Sequence, residues 1–363
     1  LLTQGRILWD YLGQLMWPQT ARMGLYHDDV LLSHSLTNPV ATLHALLAWG
    51  GVLVAAAVSS GFVLGRRVTF CMLFYLVGHS VESTVLPLEL YFEHRNYFPG
   101  IAVFLLAALL LAELQQRWRR VAAPVMAYLA LGLVVLSFNT SSQVEIWSNS
   151  YLLRFNQINA HPTSFRANAD MAVMYARVGS LERALEYSAR AHEHTRERAG
   201  DHYMRNLALS CIADQPLAAT QAPNRQALVA ERPLSSVPTL HTLVKMLQND
   251  ECRHLDRSAL ADTFAAVYLR PQAEATASGN IYALLAVLEN ALGRYANAYE
   301  YTARFLAESP QATRGLLMQL HFSTALGKVE EADDLKQRLL TLQDAGALSV
   351  VDQETLALYL ETD

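Results

Sequence analysis

Long apolar runs alternate with short polar links along the first part of the chain, up to about residue 143. Runs at 42–64, 68–88, 97–114 and 121–138 are each long enough to cross the roughly 30 Å hydrocarbon layer of a bilayer as a helix. We therefore predict about four transmembrane helices within residues 42–143.

The segment before the first run has helical periodicity. In ILWDYLGQLMWP one helix face carries Ile7, Leu8, Tyr11, Leu12, Leu15 and Met16, with Trp9 and Trp17 at the ends. An amphipathic helix with aromatic ends is typical of a helix that lies in the membrane interface. An ordinary buried helix packed on other spans has the same pattern. We predict that residues 1–41 form an interfacial helix and a loop, and the buried alternative stays open.

Small residues recur at regular spacing from about residue 164 onward. The first set is Ala172, Gly179, Ala184 and Ala191; the second is Ala286, Gly293, Ala298 and Pro310; the third is Gly327 and Ala332. Gly293 and Gly327 are 34 residues apart, which is the period of the tetratricopeptide repeat. Alanine lets two helix backbones cross closely, and glycine permits an unusual turn. We predict that residues 144–363 form a tetratricopeptide-type α-solenoid, with the proline-rich stretch 215–238 as a loop, so the whole chain is all-α.

Arginine placement predicts how the chain crosses the membrane. Residues 1–143 contain eight arginines and no lysine. Five of the arginines lie in two short links between spans: Arg66, Arg67, Arg117, Arg119 and Arg120. Short links rich in arginine usually face the cytoplasm. We therefore predict a bacterial inner-membrane protein whose N-terminal segment, link 89–96 and repeat domain all lie in the periplasm.

Charge and cysteine content restrict the function classes. The net charge of −5 argues against a nucleic-acid partner, because binding phosphate backbones needs a basic surface. Cys71 lies in an apolar run and is expected to act as a small hydrophobic residue. Cys211 and Cys252 could form a disulfide in the periplasm or stay as two free thiols. The chain opens with LLTQGR, without an initiator Met, so we expect a longer protein with further spans upstream.

The densest polar cluster, GHSVESTVLPLELYFEHRNYFPG, surrounds the link between the second and third runs. Ionisable side chains such as Glu82 are costly in or beside an apolar helix, so they usually pair or line a water-filled cavity. Arg95 could bind a lipid-borne phosphate, and Glu93 or His94 could orient it or move a proton. Alternatively, Arg95 pairs with Glu93 or Glu89, and Tyr97 anchors the chain at the interface.

A second candidate is YHDDV, where Asp28 and Asp29 follow His27 on the same predicted side of the membrane. Neighbouring carboxylates can bind a divalent metal ion or act as a base. Adjacent aspartates in a loop are also typical of a solvated turn. Neither role is decided by the sequence.

At these motifs the chain resembles the multi-spanning GT-C glycosyltransferases that carry tetratricopeptide repeats, represented by the transmembrane and TPR-containing O-mannosyltransferases. The resemblance rests on LLTQGRILWDYLGQLMWP, on the interface motif with Glu93, Tyr97 and Pro99, and on repeats that directly follow the last span. The animal proteins tend to place Arg directly after that Glu, whereas here His94 intervenes before Arg95. Their catalytic base lies in an N-terminal loop that this chain does not contain, so no catalytic residue is carried over.

The resemblance implies transfer of a sugar from a polyprenyl-phosphate donor to a protein held by the repeat domain. The expected partners are then membrane lipid, the lipid-linked donor and a protein acceptor, with no firm cofactor and a possible divalent metal. Arg95 and His94 are the expected phosphate ligands, with Glu93 and Glu82 as their supports, followed by Asp28 and Asp29. The alternative is a non-enzymatic, membrane-anchored repeat scaffold for an envelope, pilus or secretion assembly.

Overall fold

Helical periodicity governs every regular element of the described part of the chain. The computed structural model describes residues 1–80, 89–118, 122–195, 199–218, 237–249, 251–268 and 279–361. Within these ranges there are sixteen α-helices, two short 3-10 helices at Thr20–Arg22 and Glu93–Asn96, and no strand. The all-α prediction is confirmed.

The chain divides into two compact units, unit 1 (Leu1–Met171) and unit 2 (Ala172–Asp363). The helices of unit 1 are α1 (Leu2–Met16), α2 (Ala41–Ser59), α3 (Val63–Ser80), α4 (Tyr97–Arg117), α5 (Ala122–Ser148) and α6 (Ser150–Ala160). The division falls inside α7 (Phe165–Arg177). Unit 2 continues with α8 (Leu181–Glu193), α9 (Ala199–Ala213), α10 (Val237–Gln248), α11 (Arg257–Tyr268), α12 (Gly279–Ala291), α13 (Tyr295–Glu308), α14 (Thr313–Ala325), α15 (Val329–Asp344) and α16 (Val350–Leu360). Residues 144–171 therefore group with the helices that precede them.

Three helices of the described residues, α2, α4 and α5, are long and apolar enough to cross a membrane. No residue in the most apolar stretch of α5 is buried by the rest of the protein. Such a continuous apolar surface marks contact with lipid or another apolar partner. The predicted membrane association is supported, with three candidate spans.

The predicted second span begins in α3, which carries Arg66 and Arg67 in its first turn and is therefore less apolar. Only residues 60–62 connect α2 to α3, and α3 packs against both α2 and α4. The rest of that predicted span, residues 81–88, lies outside the described residues. A fourth crossing stays a prediction.

Helix α1 is buried in unit 1 through one face. Ile7 and Tyr11 are 4% and 1% exposed. Trp9 stacks on Trp49 of α2 with ring centroids 4.4 Å apart, and the indole N–H of Trp49 donates to the Gly5 carbonyl at 3.0 Å. Of the two interpretations that the sequence left open, the structure therefore favours the buried helix.

Repeated turns organise unit 2. Left-handed φ angles of 78°, 69°, 72° and 71° occur at Gly179, Gly293, Gly327 and Gly346. In each turn the glycine N–H and the N–H after it return to carbonyls of the preceding helix: at Gly327, the glycine bonds Thr324 at 3.1 Å and Lys328 bonds Ser323 at 2.9 Å. This is the Schellman ending, in which glycine avoids the penalty of a left-handed conformation.

Buried alanines recur at one position after these turns. Ala184, Ala298 and Ala332 each follow a turn glycine by five residues and are 0%, 0% and 6% exposed. They lie where the second helix of each hairpin meets its neighbours, so close packing excludes a larger side chain. The α12–α13 and α14–α15 pairs are such hairpins. The predicted repetition is present as helical hairpins.

The two cysteines of unit 2 are joined. A disulfide links Cys211 in α9 to Cys252 after α10, with Cα atoms 4.8 Å apart, and both cysteines are buried in an apolar cluster with Leu207 and Leu247. Cys71 in unit 1 is buried and free. Most of the predicted loop at 215–238 lies outside the described residues.

A Gly65→Ala variant should loosen the α2–α3 connection. A Cβ at Gly65 would overlap the Ser59 carbonyl, although alanine in a helix is otherwise favoured over glycine by about 1 kcal/mol. We expect destabilisation by about 1–3 kcal/mol, seen as a lower apparent unfolding temperature in detergent. Gly132→Ala in α5, where a Cβ meets nothing within 4 Å, is the control and should be neutral or stabilising. Equal effects of the two variants on the unfolding temperature would contradict the close approach of Gly65 to the Ser59 carbonyl.

The disulfide predicts one free thiol among the 363 residues, that of Cys71. Thiol titration of the unreduced, denatured protein should therefore give one thiol per chain, and reduction should give three. Joint replacement of Cys211 and Cys252 by serine should destabilise unit 2 by roughly 4 kcal/mol in the chain-entropy estimate for a closed loop of this length. Three thiols before reduction would show that the bond does not form.

Candidate functional site

A cavity of about 450 Å³ lies in unit 1 and is lined by both polar and apolar side chains. Its chargeable lining residues include Arg6, Asp10, Arg22, His27, Asp29 and His161. They come from α1, from the loop between α1 and α2, and from the end of α6. The cavity size is within the range of small-molecule pockets, and cations, carboxylates and imidazoles converge on it.

The polar face of α1 forms one wall. Arg6, Asp10 and Gln14 are spaced four residues apart, so they lie on the same face of the helix. Nη1 of Arg6 donates to the Leu31 carbonyl and to the Ser33 hydroxyl, each at 3.0 Å. The loop is thereby tied to α1, and two neutral acceptors hold the Arg6 guanidinium at the cavity.

His27 contacts the 3-10 helix that precedes α4. Its Nε2 lies 2.9 Å from Oε1 of Glu93, and the same carboxylate oxygen accepts the Gly24 N–H at 3.2 Å. The His27 ring also packs on Tyr91, with centroids 4.4 Å apart. The side chain of His27 is 5% exposed, so its contact with Glu93 is shielded from water. Glu93 does not itself line the cavity, but its contact fixes the orientation of His27, which does.

His161 forms a matching pair with Asp29. Nδ1 of His161 lies 2.9 and 3.0 Å from the two carboxylate oxygens of Asp29. The side chains are 11% and 16% exposed, and the ring of His161 meets that of His27 edge to face at 4.6 Å. Two histidine–carboxylate pairs thus stand side by side on the cavity.

The charges of the second pair shift both of its pKa values. Burial alone would raise the pKa of Asp29, but the hydrogen bond and charge of His161 outweigh it and leave this pKa below its usual value. Burial alone would lower the pKa of His161, and Asp29 reverses that shift, so the pKa of His161 lies above its usual value. The pair is therefore ionic across mildly acidic pH.

Asp10 connects two further residues of the cavity. The Tyr91 hydroxyl donates to Oδ2 of Asp10 at 2.7 Å, and Nη2 of Arg22 lies 3.6 Å from Oδ1. Burial, together with the Asp10 carboxylate, raises the pKa of Tyr91, so the phenol stays protonated as a donor. The Arg22 side chain is 59% exposed, and its long contact leaves most of its five N–H donors available.

Asp28, by contrast, stabilises the beginning of α7. It accepts a hydrogen bond from the Ser164 hydroxyl at 2.6 Å and from the Arg166 N–H at 3.2 Å. Ser164 in turn accepts the Ala167 N–H at 3.0 Å. Together they satisfy the first N–H groups of α7, which have no partner within the helix. Only one of the two adjacent aspartates, Asp29, lines the cavity.

The other predicted site residues lie away from these pairs. Nη1 of Arg95 donates to the Glu89 carbonyl at 2.5 Å, and its guanidinium lies over the Phe92 ring at 5.5 Å. His94 is exposed, Tyr97 is 82% exposed, and none of the three lines the cavity of unit 1. Glu82 lies outside the described residues. A phosphate-binding role for Arg95 stays a prediction.

Several cavity residues were missed from the sequence: Arg6, Asp10, Arg22 and His161. The four-residue spacing of Arg6, Asp10 and Gln14 on an otherwise apolar helix was an available signal, since a polar stripe on a buried helix needs partners. For His161 no local signal exists, because its partner Asp29 is 132 positions away.

Ser210, His254 and Asp214 in unit 2 have the residue types of a hydrolase triad but not its geometry. Nε2 of His254 is 3.4 Å from the Ser210 hydroxyl, and its Nδ1 is 3.7 Å from Asp214. Ser210 is fully buried, and its hydroxyl donates to the Leu207 carbonyl at 2.8 Å. A nucleophile needs access to substrate and a closer base, so this cluster is structural.

Within the part of the chain that the structure describes, no three His, Cys, Asp or Glu side chains converge to hold a metal ion. The possible divalent metal stays a prediction. Compared with known proteins, the chain matches no family model, no curated protein and no solved structure. The function must be argued from the residues themselves.

The His161–Asp29 pair makes a prediction about pH. The ionised Asp29 carboxylate stabilises the folded protein above pH ~3.9, and this stabilisation is lost as the pH falls through the lowered pKa of Asp29. The protonated His161 ring stabilises the folded protein fully below pH ~6.5, and this stabilisation is lost as the pH rises through the raised pKa of His161. Asp29→Asn should therefore destabilise the protein by about 1–3 kcal/mol near pH 6 and by less near pH 9. Thermal unfolding at both pH values measures this difference.

Asp170→Asn is the matched control for this experiment. Asp170 pairs with Arg154 at 3.1 Å, and a guanidinium keeps its charge at both pH values. The cost of the control should therefore be the same at pH 6 and pH 9. If Asp29→Asn also costs the same at both, His161 does not titrate as the pair requires.

Proposed function

We propose that this protein transfers a sugar from a polyprenyl-phosphate donor to a protein acceptor, and that the cavity of unit 1 holds the donor phosphate. The observation that carries the proposal is the convergence of Arg6 and Arg22 with two histidine–carboxylate pairs on one cavity. The resemblance of the sequence motifs to repeat-bearing GT-C glycosyltransferases supports the same reaction.

The cavity residues have complementary roles in such a transfer. When the glycosidic bond to phosphate breaks, negative charge develops on the leaving phosphate oxygens, and guanidinium groups stabilise that charge through charge-assisted hydrogen bonds. Arg22 is the more accessible of the two cations. The acceptor hydroxyl must lose a proton, and we assign the Asp29 carboxylate to accept it, with the His161 ring holding that carboxylate in place.

The position of the cavity relative to the spans suits a lipid-linked substrate. Trp9 of α1 bonds the Ala45 carbonyl near the start of α2, and Gln143 near the end of α5 bonds Thr20. His27 meets Glu93 in the 3-10 helix that leads directly into α4. These helix ends therefore lie on one side of the span region. A phosphate group carried by a membrane lipid would reside at that level.

Arginine and disulfide placement support a periplasmic cavity. Arg66 and Arg67 open α3, and Arg117 ends α4, at the helix ends opposite to the cavity. Arginine-rich ends usually remain in the cytoplasm. Disulfides such as Cys211–Cys252 persist mainly in oxidising compartments. We propose that the helical hairpins of unit 2 are tetratricopeptide-type repeats in the periplasm that present the acceptor.

The alternative function is a membrane-anchored repeat scaffold without catalysis. The hairpins of unit 2 favour it, because stacked helix pairs are commonly used to hold protein segments. Under this alternative, the histidine–carboxylate pairs only stabilise unit 1. The two proposals differ in whether the cavity binds phosphate.

An Arg22→Gln variant should weaken binding of a short-chain polyprenyl phosphate to the detergent-solubilised protein by about tenfold or more, because a charge-assisted hydrogen bond is lost. The measurement is a titration followed by intrinsic tryptophan fluorescence. Arg117→Gln is the matched control, since Arg117 pairs with Glu113 at the other end of α4, and it should bind like the unaltered protein.

Two results would contradict the assignment. Wild-type affinity in Arg22→Gln would remove Arg22 from the phosphate site, and undetectable binding to the unaltered protein would favour the scaffold. Arg95→Gln in the same titration tests the phosphate role that the sequence predicted. Since Arg95 bonds the Glu89 carbonyl outside the cavity, we expect a smaller effect than for Arg22→Gln.

A further inference from the structure

Unit 2 contains a groove of about 890 Å³ between α10, α12 and α14. On α10 it is lined by His241, Lys245 and Gln248, which recur at helical spacing on one face. Its deeper residues are apolar: Val244 is buried, and Leu284, Val287 and Met318 are half-buried. The groove therefore combines an apolar floor with a polar rim.

The rim carries one sign of charge. Lys245 and Arg314 are both exposed, and no Asp or Glu is among the residues that line the groove. Among the described residues, neither cation has an ion-pair partner, whereas Arg183, Arg190 and Arg294 each contact a carboxylate. The chain as a whole has an acidic excess, with a net charge of −5. The rim of the groove is therefore cationic, although the chain as a whole is acidic.

The shape suits an extended peptide. From His241 to Gln248, α10 rises by about 10 Å, which equals roughly three residues of extended chain. Successive side chains of an extended peptide point to opposite sides, so one set can meet the apolar floor while the other meets the cations. Gln248 and Asn280 can bond the peptide backbone through their amides.

We propose that this groove binds an extended segment of a partner protein in which acidic residues alternate with apolar ones. The acidic side chains pair with Lys245 and Arg314, and the apolar side chains pack on Leu284, Val287 and Met318. This inference rests on the proposed role of unit 2 in presenting an acceptor, and it specifies the chemistry of the segment that is held.

The experiment measures peptide binding to the full chain in detergent by fluorescence anisotropy. The probe is a labelled peptide that alternates Glu with Leu; a Gln–Leu and a Lys–Leu peptide are its controls. We expect only the Glu–Leu peptide to bind, with an affinity that falls as salt is added. Lys245→Gln and Arg314→Gln should each weaken binding up to about fivefold, and their combination by about tenfold or more.

Arg177→Gln is the matched variant, since Arg177 is an exposed cation of α7 that does not line the groove, and it should bind the peptide normally. Three outcomes would overturn the proposal: no binding of the Glu–Leu peptide, equal binding of the Gln–Leu peptide, or unchanged binding by the double variant. The peptide experiment contains no lipid donor, so it is independent of the polyprenyl-phosphate titration. Loss of peptide binding with intact polyprenyl-phosphate binding would contradict only the groove proposal. Peptide binding without polyprenyl-phosphate binding would contradict only the glycosyl-transfer proposal.

Discussion

Two buried histidines constrain the organisation of unit 1. An imidazole removed from water needs a partner at its ring nitrogens, and its protonated form needs a nearby carboxylate. His27 contacts Glu93 in the 3-10 helix before α4, and His161 contacts Asp29 in the loop before α2. The two pairs can form only when this loop, the 3-10 helix before α4 and the end of α6 are brought together. The same contacts that hold the two histidines therefore surround the cavity.

Much of the fold could be predicted from the sequence because its signals are local. Apolar runs gave the helices that can cross a membrane, and Gly293 and Gly327 marked turns that only a left-handed residue closes without strain. The boundaries were less accurate: the last predicted span ended at residue 138, whereas α5 continues to Ser148. The helix continues beyond its apolar stretch through polar residues such as Asn139 and Gln143. A hydropathy pattern identifies only the apolar stretch, so it places the end of the helix too early.

The site was predictable only in part. Glu93 and Asp29 were recognised as chemically unusual, but each was assigned its neighbours in the sequence, Arg95 and Asp28, as companions. In the structure their partners are His27 and His161, which lie 66 and 132 positions away. Such pairings depend on how loops meet, and a single sequence has no period or spacing that records them. For α1, likewise, the amphipathic pattern fitted both a lipid surface and a protein interior, and the Trp9–Trp49 stack selects the interior.

The pairing also explains why a cavity with both acidic and basic groups can persist. Charged side chains without partners would pair with one another or with the helix ends. Here Asp29 already bonds His161, and Asp28 already bonds the residues at the start of α7. Arg6 is fixed by two neutral acceptors, the Leu31 carbonyl and the Ser33 hydroxyl. The Arg6 donor at the cavity is therefore held in a fixed direction by its two hydrogen bonds, although Asp10 and Asp29 line the same cavity.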